Sequence, residues 1–195
     1  MARPSAGQPA AVDPSSRTDG WSSMAGRIDT APERLRPWLA EPGLLTARVR
    51  ATCGDGTRLR LLRLAAAPLD PAISRRLEVD DTECLLREIE FTCGDRRWIY
   101  AQSVFPRSTV RRHPWLEGLG ENGLGESLAT VSDVVREPLE CCELDPAHPL
   151  AIAAGGGPGA RGLWARRAAY RLAGSPILVQ EVFLPALLDA SEEVP

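Results

Sequence analysis

The sequence predicts an α+β fold, with a single antiparallel β-sheet built from hairpins and helices packed on one side of it. Two features of the sequence favour this class. The alternating apolar segments typical of strands come mainly in pairs separated by short turns, as neighbouring antiparallel strands do. The helical segments are few and do not alternate with the strands, which argues against the β-α-β order of a parallel sheet.

The N-terminal part is expected to contribute a tail, one helix and the first hairpin. Residues 1–30 are rich in Pro, Ser, Ala and Gly and show no periodicity, so they are predicted to be a disordered tail. The folded domain is expected over residues 31–186. It begins with a short helix at 32–39, because proline is favourable in a first helical turn. Residues 44–51 and 57–64 are then predicted to be strands joined by a Gly-Asp-Gly turn.

The later strands continue the hairpin pattern. Residues 145–160 are rich in Pro, Ala and Gly and are predicted to be an inserted loop. Residues 187–195 are predicted to be an acidic C-terminal tail. The strands expected between and around these segments are 84–92, 97–105, 130–144, 163–172 and 176–184, of which the first two and the last two form hairpins.

Composition excludes several classes of function. All 23 basic residues are arginine, and the lack of lysine rules out a Schiff-base lyase, a pyridoxal phosphate anchor and a Walker A lysine. The net charge of −3 argues against nucleic acid and against an anionic membrane surface as partners. No apolar run has the length of a membrane span and the N-terminus lacks an apolar signal segment, so a cytoplasmic location is predicted.

Metal and cofactor motifs are weak in this sequence. The five cysteines show no CxxC spacing, and in a reducing compartment they are predicted to be free thiols. His113 and His148 have no partner at the spacing of metal ligands, so no metal is expected. Two GxGxxG matches do not follow a strand and open a helix, which argues against a dinucleotide site. No cofactor is therefore predicted.

Two charged residues interrupt the apolar faces of predicted strands. Because side chains alternate along a strand, Arg87 shares its face with three large apolar residues, and Glu181 does the same in the last strand. An isolated buried charge needs a partner or a ligand. Arg87 and Glu181 are therefore expected either to point into one apolar cavity or to form a buried structural pair. Their apolar neighbours are Leu85, Ile89, Phe91, Ile177, Val179 and Phe183.

Other charged residues are expected to lie on the surface. Glu88 and Glu90 fall on the face of their strand opposite to Arg87 and are predicted to be solvent-exposed. A C-terminal group of arginines could bind a polyanion, but a solvated strand face is the favoured interpretation, with Arg167 and Arg171 on that face and Arg166 on the other. The members of this group are Arg161, Arg166, Arg167 and Arg171.

The order and spacing of several segments resemble the chorismate pyruvate-lyase family over about residues 33–185. These segments are Leu85-Leu86-Arg87-Glu88-Ile89, Val104-Phe105-Pro106-Arg107-Ser108-Thr109, Gly162-Leu163-Trp164-Ala165-Arg166-Arg167 and the stretch from Gly174 to Pro185. The resemblance implies an antiparallel sheet with helices on one side and an internal ligand cavity. It also implies cofactor-independent conversion of chorismate to 4-hydroxybenzoate and pyruvate, as in ubiquinone synthesis, with chorismate and 4-hydroxybenzoate as the small-molecule partners.

The resemblance also implies roles for four residues of this sequence. Arg87 takes the place of the arginine that binds the ligand carboxylate, and Glu181 that of the glutamate at the ligand hydroxyl. Leu124 matches a leucine whose backbone contacts ligand. Leu45 stands where the best-known members have a methionine contact, so it matches in place and not in type. Arg87 and Glu181 are the expected catalytic residues, and whether Glu181 acts as a base or only orients the substrate stays open.

Two other functions are compatible with the same fold. One is a non-catalytic small-molecule binder, of the kind that serves as effector domain in GntR-type regulators, although no helix-turn-helix pattern precedes the domain here. The other is a lyase that makes 3-hydroxybenzoate. Neither membrane insertion nor nucleic-acid binding is expected, and the chain is predicted to be a monomer.

Overall fold

The architecture is one antiparallel sheet of eight strands in a computed structural model that describes residues 20–156 and 162–190. The spatial order is β1-β6-β7-β8-β4-β3-β2, and β5 pairs with β7 beside β6. Strand β8 joins the two halves because it pairs with β7 on one side and β4 on the other. The strands are β1 Ser22–Ser23, β2 Thr57–Pro68, β3 Glu83–Cys93, β4 Arg96–Pro106, β5 Val134–Arg136, β6 Glu140–Leu144, β7 Leu163–Leu172 and β8 Ser175–Phe183.

Short helices connect the strands and cover the sheet. None of the helices described is long and apolar enough to cross a membrane. Single turns of 3₁₀-helix extend several of them, for example after α1 and before α2. The helices are α1 Met24–Arg27, α2 Arg36–Leu39, α3 Leu45–Cys53, α4 Pro71–Leu77, α5 Arg107–Arg112, α6 Leu124–Leu128, α7 Pro149–Ala153 and α8 Pro185–Ala190.

The two faces of the sheet carry separate parts of the core. The first face, which includes Ile89 and Phe183, packs mainly against α2, α3, α5, α6 and α8. On the second face, Leu77 of α4 and Leu150 of α7 pack against strand residues such as Val104 and Tyr100. The predicted α+β class with one antiparallel sheet is confirmed. The larger group of helices packs on one side of the sheet, as predicted. The helices α4 and α7 form a smaller group on the other side.

Turn chemistry sets the register of the two long hairpins. Gly94, with a positive φ of 55°, lies in the turn between β3 and β4. Ala173 and Gly174, with φ of 45° and 82°, form the two-residue turn between β7 and β8. Two successive positive φ angles match the twist of a tight hairpin. The β7–β8 turn therefore places Arg166 directly opposite Glu181.

The predicted strand at residues 44–51 is wrong, because this segment forms helix α3. Leu45 and Val49 are four residues apart and both are buried, whereas Ala47 and Arg50 are exposed. That spacing buries one stripe of a helix, and the segment is too short to separate this period from alternation by sequence alone. The long strand predicted at 130–144 is also divided, into β5 and β6, on either side of Pro138.

The predicted domain limits also need correction. Residues 20–30 were expected in a disordered tail, but β1 pairs with β6 and Trp21 is buried beneath the Arg167 guanidinium, 4.4 Å from the ring centroid. The inserted loop contains α7, and its Leu150 is buried. Leu187, predicted to begin the C-terminal tail, is buried within α8. Residues 1–19, 157–161 and 191–195 lie outside the described residues.

The prediction of five free thiols is wrong for two of them. Cys53 at the end of α3 is bonded to Cys93 at the end of β3, 40 residues away in the sequence. Pairing of Thr57 with Cys93 brings the two ends together. Cys84, Cys141 and Cys142 are buried and are not part of this disulfide.

Strand β2 forms an open edge of the sheet. Its outer positions carry three exposed arginines, Arg58, Arg60 and Arg63. A bulge between Leu61 and Arg63 interrupts its pairing with β3. Charged residues and bulges are common features of edge strands, because they discourage pairing with another chain.

Candidate active site

A cavity of about 60 Å³ lies between the first face of the sheet and a cover formed by residues 43–46 together with α6. All four residues that the sequence predicts for a ligand site line it, namely Leu45, Arg87, Leu124 and Glu181. Leu45 and Leu124 belong to the cover, whereas Arg87 and Glu181 come from the sheet. The volume is smaller than the roughly 150 Å³ of an engineered cavity that binds benzene. A substituted six-membered ring therefore requires the cover to move outward.

Arg87 is a buried cation held by backbone carbonyl groups. Its side chain is 1% exposed. Nε and Nη2 donate to the carbonyl oxygen of Gly120 at 3.2 and 3.0 Å, and Nη2 also donates to that of Asn122 at 2.7 Å. Within the described residues it has no carboxylate partner. Burial lowers the pKa of Arg87 to about 10, so the side chain stays charged at neutral pH and suits an anionic ligand group.

Glu181 pairs with Arg166 and not with Arg87. Its Oε2 accepts a hydrogen bond from Arg166 Nε at 2.5 Å, and its side chain is 16% exposed. The alternative of a structural Arg87–Glu181 pair is therefore wrong. The other oxygen, Oε1, accepts no hydrogen bond from the part of the chain that the structure describes, and is left for a donor in the cavity.

Arg166 is a site residue for which the sequence predicts no ligand role. It lies on the strand face opposite to Arg167 and Arg171, as predicted, but it is 3% exposed and lines the cavity. The two-residue turn at Ala173-Gly174 could have revealed its place opposite Glu181. Its Nη1 donates, at 3.1, 3.3 and 2.9 Å, to the carbonyl oxygens of Trp38, Leu39 and Glu41.

The neighbouring charged residues also differ from the predicted surface positions. Arg167 is 6% exposed, and its Nε donates to Glu140 at 2.8 Å. Arg171 is half-buried and pairs with Glu137, and Arg161 lies outside the described residues. Glu90, predicted to be exposed, is 3% exposed and bridges two arginines, Arg60 at 2.7 Å and Arg97 at 2.5 Å.

Two further polar side chains line the cavity. Ser103 lies directly opposite Arg87 in the β3–β4 ladder and is 3% exposed. Tyr170 comes from β7, and burial together with the negative charge of Glu181 raises the pKa of its phenol. The hydroxyl of Tyr170 therefore stays protonated and can donate a hydrogen bond. Both residues lacked a signal in the sequence, since Ser and Tyr are ordinary in strands.

The two parts of the cover touch each other above the cavity. A Cβ atom added to Gly125 of α6 would come within 2.5 Å of Leu44 Cδ2, so a larger residue at this position would displace the exposed Leu44 side chain. Arg50 of α3 and Glu126 of α6 form an exposed ion pair at 2.6 Å. Contact between the parts closes the cavity from this side.

Comparison with known proteins assigns the chain to one family. The family model described as chorismate lyase matches residues 20–192. The chain belongs to the chorismate lyase family. This membership makes it a lyase, and the matched range covers the sheet, the cover and all four predicted site residues.

Individual members of the chorismate lyase family and one solved structure agree with this assignment. A "probable chorismate pyruvate-lyase" of Azoarcus sp. (strain BH72) is 38% identical, and the match covers 89% of this chain and 96% of that protein. One with the same description from Methylococcus capsulatus is 33% identical over 81% and 99% of the two chains. The effector domain of PhnF from Mycobacterium smegmatis, with a TM-score of 0.51 and 16% identity, covers 74% of this chain and 90% of its own. This last likeness shows a shared fold.

The candidate site offers charges, hydroxyl groups and an apolar wall. Across residues 20–156 and 162–190, no group of three or more His, Cys, Asp or Glu side chains could hold a metal ion. The chemical resources of the described cavity are the cation of Arg87 and the carboxylate of Glu181 held by Arg166.

Proposed function

We propose that this lyase converts chorismate to 4-hydroxybenzoate and pyruvate without a cofactor, with Arg87 and Glu181 as catalytic residues and Leu45 and Leu124 as further substrate contacts. The observation that supports it best is one partly enclosed cavity with a buried cation and a hydrogen-bond-accepting carboxylate on separate strands. The same proposal includes a cytoplasmic location of the protein and the use of its product in ubiquinone synthesis.

The positions of the two charged residues suit a ring with groups at opposite ends. Arg87 pairs with Ser103 of β4, Ser103 in turn pairs with Val179 of β8, and Glu181 lies two residues further along β8. Two strand spacings sideways and two residues along the strand separate their Cα atoms by about 12 Å. An arginine and a glutamate side chain can reach inward from such positions to a carboxylate and a para-hydroxyl of one ring.

The reaction itself asks little of the protein. Chorismate carries a ring carboxylate, a 4-hydroxyl group and an enolpyruvyl ether. Cleavage of the ether C–O bond, with loss of the hydrogen on C4, makes the ring aromatic, and protonation of the released enolpyruvyl methylene carbon gives pyruvate. Aromatisation drives the elimination downhill, so a strong acid, a metal or a nucleophile is not needed. The protein's task is to hold a reactive conformer and keep water out.

Each catalytic residue has a defined part in this scheme. The Arg87 fork binds the ring carboxylate in a buried site, where a charge-assisted hydrogen bond is strong. Oε1 of Glu181 accepts a hydrogen bond from the 4-hydroxyl, which orients C4 and its hydrogen. The cover excludes water from the leaving enolpyruvyl group. Glu181 can also accept the C4 proton, because a carboxylate with one free oxygen stands beside it.

One assay tests the reaction against its two alternatives. Purified protein incubated with chorismate is expected to release one pyruvate for each 4-hydroxybenzoate, with pyruvate followed by an enzymatic coupling assay and the acid identified by chromatography. A non-catalytic binder of the same fold would give no pyruvate above the uncatalysed rate. A peak of 3-hydroxybenzoate would assign the other lyase.

Substituting Glu181 by glutamine is expected to lower kcat for chorismate by about a hundredfold, since loss of a correctly placed general base or acceptor costs about 10²-fold. KM should change less, because Arg87 still binds the carboxylate. Glu117→Gln, on an exposed residue that does not line the cavity, is the matched control. An unchanged kcat in Glu181→Gln would remove Glu181 from the mechanism.

Product release is expected to limit turnover. The cavity volume is smaller than the product ring requires, so the cover must move before 4-hydroxybenzoate leaves. Rapid mixing with excess chorismate should show a burst of about one product per enzyme, followed by a slower steady rate. Equal rates in the first and later turnovers would place the slow step elsewhere.

A further inference from the structure

Arg166 connects the proposed catalytic carboxylate to the chain that leads into the cover. Its Nε holds Oε2 of Glu181, while its Nη1 donates to carbonyl oxygens at the end of α2 and in the following turn. The nearest of these acceptors, Glu41, precedes the cover by only two residues. A single buried guanidinium thus bridges a wall of the cavity and the backbone beside its cover.

The chain between Glu41 and α3 is closed by its own polar contacts. Glu41 Oε1 accepts from the Gly43 backbone N–H at 2.9 Å, and Oε2 accepts from Arg48 Nη1 at 2.8 Å. These contacts, with Arg48 as their largest cause, lower the pKa of Glu41. Arg48 also lies 4.9 Å from the Trp38 ring. These contacts therefore hold residues 38–48 together, and Arg166 connects this segment to Glu181 of β8.

We propose that Arg166 is a positioning residue which sets the orientation of Glu181 according to the position of the cover. The planar fork of arginine can bond to a carboxylate and to carbonyl groups at the same time. When the cover is closed, all four contacts are made and Glu181 presents its free oxygen to the cavity. When the cover moves, the carbonyl acceptors move with it and Glu181 loses its fixed partner. The inference rests on the proposed function.

The test compares Arg166→Lys with Arg167→Lys. A lysine keeps the charge but cannot bridge both partners. Arg167 is the matched control, because it is the next residue, is also buried and also pairs with a glutamate, Glu140, away from the cavity. Single-turnover rates on chorismate and dissociation rates of 4-hydroxybenzoate are measured for both variants and wild type.

Arg166→Lys is expected to slow the single turnover by about a hundredfold, the cost of about 1 Å of misplacement. It should also speed 4-hydroxybenzoate dissociation by about fivefold or more. In a Glu181→Gln background, Arg166→Lys should slow the single turnover little further. Its acceleration of 4-hydroxybenzoate dissociation should persist. Rates like those of Arg167→Lys in both measurements would overturn the inference. A wild type that forms no pyruvate would overturn the proposed function and the inference with it.

A second measurement leaves Arg166 unchanged, in case its variant does not fold. Glu181→Gln weakens the link from the other end, and hydrogen–deuterium exchange is followed in peptides from residues 36–50. Exchange there is expected to rise about fivefold or more relative to wild type. Glu140→Gln, which removes the charge opposite Arg167, should leave it unchanged. Equal exchange in Glu181→Gln and wild type would overturn the link between Glu181 and the cover.

Discussion

Replacing Arg87 by alanine is expected to lower kcat/KM for chorismate by about a thousandfold. Breaking a buried charge pair by removing one partner costs about 3–5 kcal/mol, and about 1.4 kcal/mol corresponds to tenfold. The substrate carboxylate would enter the cavity without its cation. The hydrogen bonds to the carbonyl oxygens of Gly120 and Asn122 would also be lost, which loosens the loop before α6. Steady-state kinetics of pyruvate release measures the effect.

Three further variants separate charge, geometry and folding. Arg87→Lys should recover part of the loss, because it keeps the cation but not the fork. Arg58→Ala, on the exposed edge strand, should match wild type. Circular dichroism at the assay temperature reports whether Arg87→Ala is folded. Wild-type kcat/KM in a folded Arg87→Ala would show that the carboxylate binds elsewhere.

Loss of the disulfide is expected to lower the melting temperature by about 8–16 °C. Closing a loop of 40 residues stabilises the folded state by about 4 kcal/mol in the chain-entropy description. For a chain of this size, about 1 kcal/mol corresponds to 2–4 °C. Differential scanning fluorimetry of wild type with and without dithiothreitol measures the change. The same shift is expected in the double variant Cys53→Ser/Cys93→Ser.

The double variant also provides the control for the reductant. Cys84, Cys141 and Cys142 are still present in it, so any effect of dithiothreitol on these buried thiols would persist. Its melting temperature is expected to be the same with and without reductant. A wild type whose melting temperature ignores dithiothreitol would show that the bond contributes nothing to stability in solution.

The hairpins could be predicted from the sequence because their information is local. Residues 84–105 and 163–184 alternate cleanly and contain their own turns, so each strand's neighbour is the next one along the chain. Segment 44–51 lacked such information. Its apolar residues suit either period over so short a length, and contact of Leu45 and Val49 with the sheet selects the helix. The pairing of Cys53 with Cys93 likewise depends on where α3 ends in space.

The candidate site was predictable where a residue conflicted with its local environment. Arg87 and Glu181 stood out because each was a charge among apolar neighbours on a strand. Arg166 did not, since β7 carries arginine at three positions and small alanines between them. Its burial follows from strands on both sides of β7 and from the carbonyl groups of residues 38–41. Those contacts join segments about 125 residues apart, which no local pattern shows.

The arginines on β2 affect whether two copies of the molecule can associate through their edge strands in a crowded solution. Two open edges approaching in antiparallel fashion would bring Arg58, Arg60 and Arg63 of one copy against the same guanidinium groups of another, and the bulge after Leu61 would spoil the ladder between them. Repulsion of this kind keeps a continuous intermolecular sheet from growing. The three arginines of β2 therefore oppose fibre formation, and none of them lines the ligand cavity.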